Sequence, residues 1–125
     1  MSDKKNKILL VEDEQMMVDM YKMRFESEGY EVLVTERGSE VIQIAKKEKP
    51  DIILLDVILP ETDGFSILQT IKADSTIKDI PVLLLTNLGQ ESDKTKGEEM
   101  GAADYFVKSQ HTPVQVIQKV KELIK

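Results

Sequence analysis

Four short runs in this chain are apolar at nearly every position: Ile8 to Val11, Ile52 to Leu55, Val82 to Leu85 and Tyr105 to Val107. A strand with one face in water alternates apolar and polar residues, so runs without alternation belong to strands covered on both faces. Each run is followed at once by a polar or charged residue: Glu12-Asp13, Asp56, Thr86 and Lys108. The third strand matters most. It carries one carboxylate, Asp56, at its carboxyl end, and the chain then passes through Val57 to Leu59 before Pro60 and Asp63-Gly64 turn it. A carboxylate there is costly to bury unless something pairs with it.

The segments between these runs read as helices. A strand over 7–11 leads to a helix over 15–28, stopped by Gly29. Its apolar arc, from Met23 through Met16, Met20, Met17, Tyr21 and Phe25 to Val18, spans roughly 200° at 100° per residue, wider than one sheet face needs. The methionines are expected mainly in the core, with Met16 and Met23 as the excess. A strand over 31–35 follows. The next helix runs over 38–49, with Val41, Ile42, Ile44 and Ala45 inward and Pro50 at its end. After the third strand, residues 65–73 form a helix with Ile67, Leu68 and Ile71 inward. Residues 81–86 form the fourth strand. The segment 90–100 is a weak helix, polar nearly all round and interrupted by Gly97. The fifth strand spans 103–107. Thr112 as N-cap, Pro113 at the first position and Gln115 closing a capping box start the last helix, whose apolar face is Val116, Ile117, Val120, Leu123 and Ile124.

Five strand–helix units without repeat or linker predict an α/β fold, a doubly wound parallel sheet with helices on both sides in three α/β/α layers. At 125 residues the chain suits one domain, 1–125. A net charge of −6 and no basic stripe argue against direct nucleic-acid binding. The absence of cysteine excludes disulfides and thiolate metal sites. The polar opening lacks a signal core, and no run approaches the roughly 18 apolar residues of a membrane span. A cytoplasmic protein without membrane insertion, monomeric or weakly dimeric, is the expectation.

In a parallel sheet, ligands gather beyond the carboxyl ends of the strands. That brings Glu12, Asp13, Asp56, Thr86 and Lys108 to one cleft. Three carboxylates converging without a cation repel one another, and a hard divalent ion with oxygen ligands, Mg²⁺, resolves this. Lys108 adds a compact positive charge and Thr86 a hydroxyl donor. Such a set suits phosphoryl transfer, with Asp56 itself as acceptor.

Glu12-Asp13 after the first strand, Asp56 with Pro60 and Asp63-Gly64, Thr86, and Tyr105 three before Lys108 together resemble the response-regulator receiver domain of two-component signalling. The resemblance covers essentially the whole chain. It implies a flavodoxin-like strand order 2-1-3-4-5. It also implies that Asp56 takes a phosphoryl group from a sensor histidine kinase or a histidine phosphotransfer protein, with Mg²⁺ held by Glu12, Asp13, Asp56 and the backbone carbonyl of Ile58, Glu12 through water. Thr86 and Lys108 would contact the phosphoryl oxygens. Thr86 moving toward them would let Tyr105 turn inward and alter the face of the fourth helix, fifth strand and fifth helix, read by a downstream protein partner. On this reading the chain is a signalling receiver, not an enzyme acting on other substrates, and carries no effector domain.

Four positions set this chain apart from the family pattern. Ser109 follows Lys108 where the family carries proline after a cis bond, and a cis bond without proline costs about 3–4 kcal/mol. Asn87 follows Thr86 where a small residue is usual. Ile58 and Leu88 flank the site with apolar side chains, placed to hinder hydrolytic water and lengthen the phosphorylated lifetime. His111, the single histidine, reads as an exposed loop residue.

Other functions fit less well. An aspartyl phosphatase of the haloacid-dehalogenase type needs a second Asp two residues after the first, where Ile58 stands. A flavin site would need a hydroxyl- and glycine-rich phosphate loop in place of Glu12-Asp13-Glu14. A nucleotide hydrolase would need a G-x-x-x-x-G-K-[ST] loop. An interaction module that keeps the fold without phosphorylation remains an open alternative.

Overall fold

The computed structural model describes residues 6–60, 62–87, 91–108 and 111–124. Five strands, β1 (Lys7–Val11), β2 (Glu31–Thr35), β3 (Ile52–Asp56), β4 (Val82–Thr86) and β5 (Asp104–Val107), form one parallel sheet in the order β2-β1-β3-β4-β5. Five helices connect and follow them: α1 (Gln15–Ser27), α2 (Gly38–Glu48), α3 (Gly64–Ala73), α4 (Glu91–Glu99) and α5 (Pro113–Leu123). The expected elements are all present, with ends shifted by a residue or so. This is the flavodoxin-like doubly wound arrangement.

Because side chains alternate along a strand, the sheet divides its apolar residues between two cores. Leu9, Ile53, Leu55, Val82, Leu84 and Tyr105 point toward one face and pack with Val41 and Ala45 of α2 and with Leu68 and Ile71 of α3. Ile8, Leu10, Ile52, Leu54, Leu83 and Phe106 point to the other face, under Val18, Tyr21 and Phe25 of α1 and Val116 and Val120 of α5. The central strands β3 and β4 are buried along their whole length. Their lack of alternation follows from that double cover.

The broad apolar arc of α1 is used differently from the expectation. Val18, Tyr21 and Phe25 are its buried residues. Tyr21 and Phe25 stack at 6.0 Å, and Tyr30 packs edge-on to Phe25 at 5.9 Å. These rings fill the space, so no methionine of α1 is buried. Met17 and Met20 are half-buried, whereas Met16 and Met23 are 84% and 65% exposed.

Gly97 also proves to be more than an interruption. A Cβ built there would lie 2.7 Å from Leu84 Cδ1 and 3.4 Å from Tyr105 Cδ2. It is the position at which an otherwise polar helix comes close enough to touch the sheet. Lys96, beside it, places its ammonium 4.4 Å from the centre of the Phe65 ring. The last helix starts as its sequence predicts: Gln115 N–H donates to Thr112 Oγ1 at 3.3 Å and Thr112 N–H to Gln115 Oε1 at 2.8 Å.

Candidate active site

Strand order brings the expected residues together. β1, β3, β4 and β5 are neighbours, in the order β1-β3-β4-β5, and all run the same way, so Glu12, Asp56, Thr86 and Lys108 emerge at one edge. The backbone enforces this. Lys108 N–H donates to Thr86 O at 2.7 Å, and Glu12 N–H to Thr35 O at 3.1 Å.

Lys108 lies at the centre. Its Nζ is 2.6 Å from Glu12 Oε1, 3.0 Å from Asp56 Oδ2 and 3.7 Å from Glu14 Oε1. Glu12 and Asp56 are both buried, at 2% and 6% exposure. Each keeps a second hold on the backbone: Glu12 Oε2 accepts from the N–H groups of Asp13 and Glu14, and Asp56 Oδ1 from Ile58 N–H at 3.0 Å. A buried carboxylate is tolerated only with such partners. Glu14 belongs to the same acidic run as Glu12 and Asp13. Only the turn into α1 decides that it faces the ammonium.

The electrostatics follow from this crowding. Burial raises the Glu12 pKa above its ordinary value, and the charge of Asp56 adds to that, against the lowering effect of Lys108. Burial pulls the Lys108 ammonium down, but its hydrogen bond to Glu12 and the charge of Asp56 outweigh burial and hold its pKa above the usual lysine value. A cluster with more carboxylates than cations favours holding positive charge. Carboxylate oxygens of Glu12, Asp13 and Asp56 all lie within 4.8 Å of one another, and Asp13 is exposed. An all-oxygen set with one open side fits a hard divalent cation.

A cavity of about 390 Å³ opens over Asp56. It is lined by Asp13, Glu14, Ile58, Leu59, Pro60, Asn87 and Lys108. Beside it, Gly64 N–H donates to Val57 O at 2.7 Å and Ile58 forms a bridge with Asp63. Asp63 then caps α3, accepting from Ser66 N–H at 2.9 Å. Ile58, 53% exposed, stands at the mouth.

Thr86 is fully buried at the end of β4. Tyr105, 4% exposed, lies in the core beneath α4, and burial, with the charges of Asp93 and Asp56, pushes its phenol up to about 12. Leu88 and the Lys108–Ser109 bond lie outside the described residues. His111 corrects an expectation. It is half-buried, not exposed, and its ring packs edge-on to Phe106 at 5.0 Å. A residue four beyond β5 has no sequence signal for this; its N–H donates to Val107 O at 3.0 Å and keeps it against the strand end.

Known proteins share this architecture. The response regulator receiver domain family matches residues 8–121. The alkaline phosphatase synthesis transcriptional regulatory protein PhoP of Bacillus subtilis is 37% identical over 119 residues, covering 95% of this chain and 48% of PhoP. The chain spans about half the length of the curated relatives it matches. The BeF3-activated N-terminal receiver domain of Klebsiella pneumoniae RstA superposes with a TM-score of 0.88 at 28% identity, over 96% of this chain and 99% of that one. The receiver domain of sensor histidine kinase PA1611 from Pseudomonas aeruginosa, solved with a magnesium ion coordinated in its active-site cleft, gives 0.86 at 26% identity, over 97% and 98%. With the sheet order, the acidic cluster and the matched span in agreement, the chain belongs to the response regulator receiver domain family.

Proposed function

We propose that residues 1–125 act as one receiver unit in which Asp56 accepts a phosphoryl group from a phosphohistidine on a sensor kinase or phosphotransfer protein. The observation that carries this reading is the Lys108 ammonium, hydrogen-bonded to both Glu12 and Asp56 at the floor of an open acidic cleft. In the transfer, an Asp56 carboxylate oxygen forms a bond to phosphorus as the phosphorus–nitrogen bond breaks. The departing imidazole keeps that electron pair and takes up a proton.

The residues present fit Mg²⁺. Glu12 (through water), Asp13, Asp56 and the Ile58 carbonyl would hold it, and when bound it neutralises charge on the transferring group. Lys108 already touches Asp56 and is placed to follow the incoming charge, donating to a phosphoryl oxygen. The Ile58 N–H on Asp56 Oδ1 fixes the carboxylate and leaves Oδ2, on the Lys108 side, as the candidate nucleophile. Thr86 supplies a hydroxyl for a second phosphoryl oxygen.

The output is a change at the face of α4, β5 and α5. Thr86 moving toward the phosphoryl group would free space beside Tyr105, and α4, with its polar composition, is the element least tied to the core. Tyr105 is already buried in this structure, so switching requires that its outward position be populated before phosphorylation. A downstream protein would read the difference. Cytoplasmic location and direct action without nucleic-acid contact belong to the same proposal. Among the described residues no helix is long and apolar enough to cross a membrane.

Incubation with Mg²⁺ and a small phosphodonor, followed by intact-mass measurement, tests the central step. The expected result is one added phosphoryl group in the wild type and none in Asp56→Ala. No adduct on the wild type, or an unchanged one in the variant, sinks the reading.

A further inference from the structure

The second face of the Lys108 turn rests on a side chain to which nothing above assigns a role. β5 is an edge strand, paired among the described residues with β4 alone. Lys108 N–H points toward β4 and donates to Thr86 O. The N–H groups of Tyr105 and Val107, which alternate with it, point to the open edge, where no strand accepts them. Both find side-chain acceptors instead. Tyr105 N–H donates to Asp104 Oδ1 at 2.7 Å, and Val107 N–H to His111 Nδ1 at 3.1 Å.

His111 grips Val107 twice, since its own N–H donates to Val107 O at 3.0 Å. In the tautomer that accepts from Val107 N–H, the ring proton is on Nε2, and the 3.2 Å approach of Nδ1 to Val107 O is not a hydrogen bond. The Phe106 ring, edge-on at 5.0 Å, holds the imidazole plane in place. Val107 is thus fixed from the open side, and the next residue is the one whose ammonium spans Glu12 and Asp56.

We propose that His111 is a positioning residue for phosphoryl transfer: its Nδ1 lone pair, by accepting from Val107 N–H, holds the residue before Lys108 and so aims the ammonium at Asp56. The chain carries Ser109 after this lysine. His111 supplies from the side chain a restraint on Val107 that the local backbone sequence does not dictate. The inference rests on Asp56 being the phosphoryl acceptor.

Two substitutions separate the ring from the lone pair. His111→Asn keeps an acceptor oxygen where Nδ1 lies but loses the ring, and His111→Phe keeps a ring but loses the acceptor. Phosphorylation by a small phosphodonor with Mg²⁺ should slow by about tenfold in His111→Phe, the scale of a misplaced positioning group, and stay within about threefold of wild type in His111→Asn. In a Lys108→Ala background, His111→Phe should cause no further loss, because the residue acts through Lys108. Should the ring swap prevent folding, His111→Gln, whose polar atoms reach the Nε2 position, takes its place. His111→Phe at the wild-type rate overturns the inference, as does His111→Asn as slow as His111→Phe, or an undiminished loss without Lys108. A wild type that takes no phosphoryl group overturns the phosphoacceptor reading instead, so the two failures are distinct.

Discussion

Asp56 occupies a position where two demands meet. Its backbone belongs to a fully buried strand, while its carboxylate must face a cleft. The Ile58 N–H and the Lys108 ammonium satisfy one oxygen each. Ile58 contributes more than that N–H. Its exposed side chain lines the cavity and offers no polar atom to orient a hydrolytic water. An acyl phosphate on Asp56 should therefore be long-lived. Ile58→Asn is expected to shorten its lifetime by about threefold or more after donor removal, read by the decay of the phosphorylated mass; an unchanged decay would show that Ile58 does not control water access.

At the scale of elements, two glycines make the joints that matter for the site, and they differ in what they touch. A Cβ on Gly64 would sit 2.6 Å from Asp56 O and 2.8 Å from Val57 Cα, both backbone atoms of the segment that carries Asp56. Nothing there gives way easily. A Cβ on Gly97 meets the tip of the Leu84 side chain at 2.7 Å, where a small rotation makes room. Replacing glycine by alanine within a helix also gains about 1 kcal/mol. Gly64→Ala should therefore destabilise by about 2–3 kcal/mol, whereas Gly97→Ala should stay within about 1 kcal/mol of wild type. Urea unfolding of the two variants checks the order, and equal losses would contradict this account of the joints.

At the scale of the whole molecule, the sheet separates a rigid part from a looser one. β1, β3 and β4 are covered by two apolar layers, whereas α4 is polar on nearly all sides and approaches the sheet at Gly97. Amide exchange should reflect that division. The amides of Glu91–Glu99 are expected to exchange roughly 100-fold or more faster than those of β1, β3 and β4, a difference between local opening and global unfolding. Uniform protection across α4 and the sheet would remove the basis for treating α4 as the switching element.

Much of this molecule was legible without coordinates, for a physical reason. Burial on both faces of a parallel strand forces apolar runs, and those runs located β1, β3, β4 and most of β5. The polar residue after each run then marked the cleft, because strands that run the same way end on the same side. The capping box of α5 was local chemistry between Thr112 and Gln115, and it was readable for that reason. What local pattern could not decide was competition for space and partners. The aromatic cluster of Tyr21, Phe25 and Tyr30 takes the core in place of the methionines of α1, although their spacing suited it equally. Gly97 read as a weakness until Leu84 and Tyr105 were seen beneath it. Glu14 and His111 have partners, Lys108 and Val107, that no sequence pattern announces. Periodicity along the chain determined the elements and the edge of the sheet where the site lies. Tertiary packing decided which side chains meet there, because hydrogen bonds and close contacts between residues far apart in sequence leave no period to read.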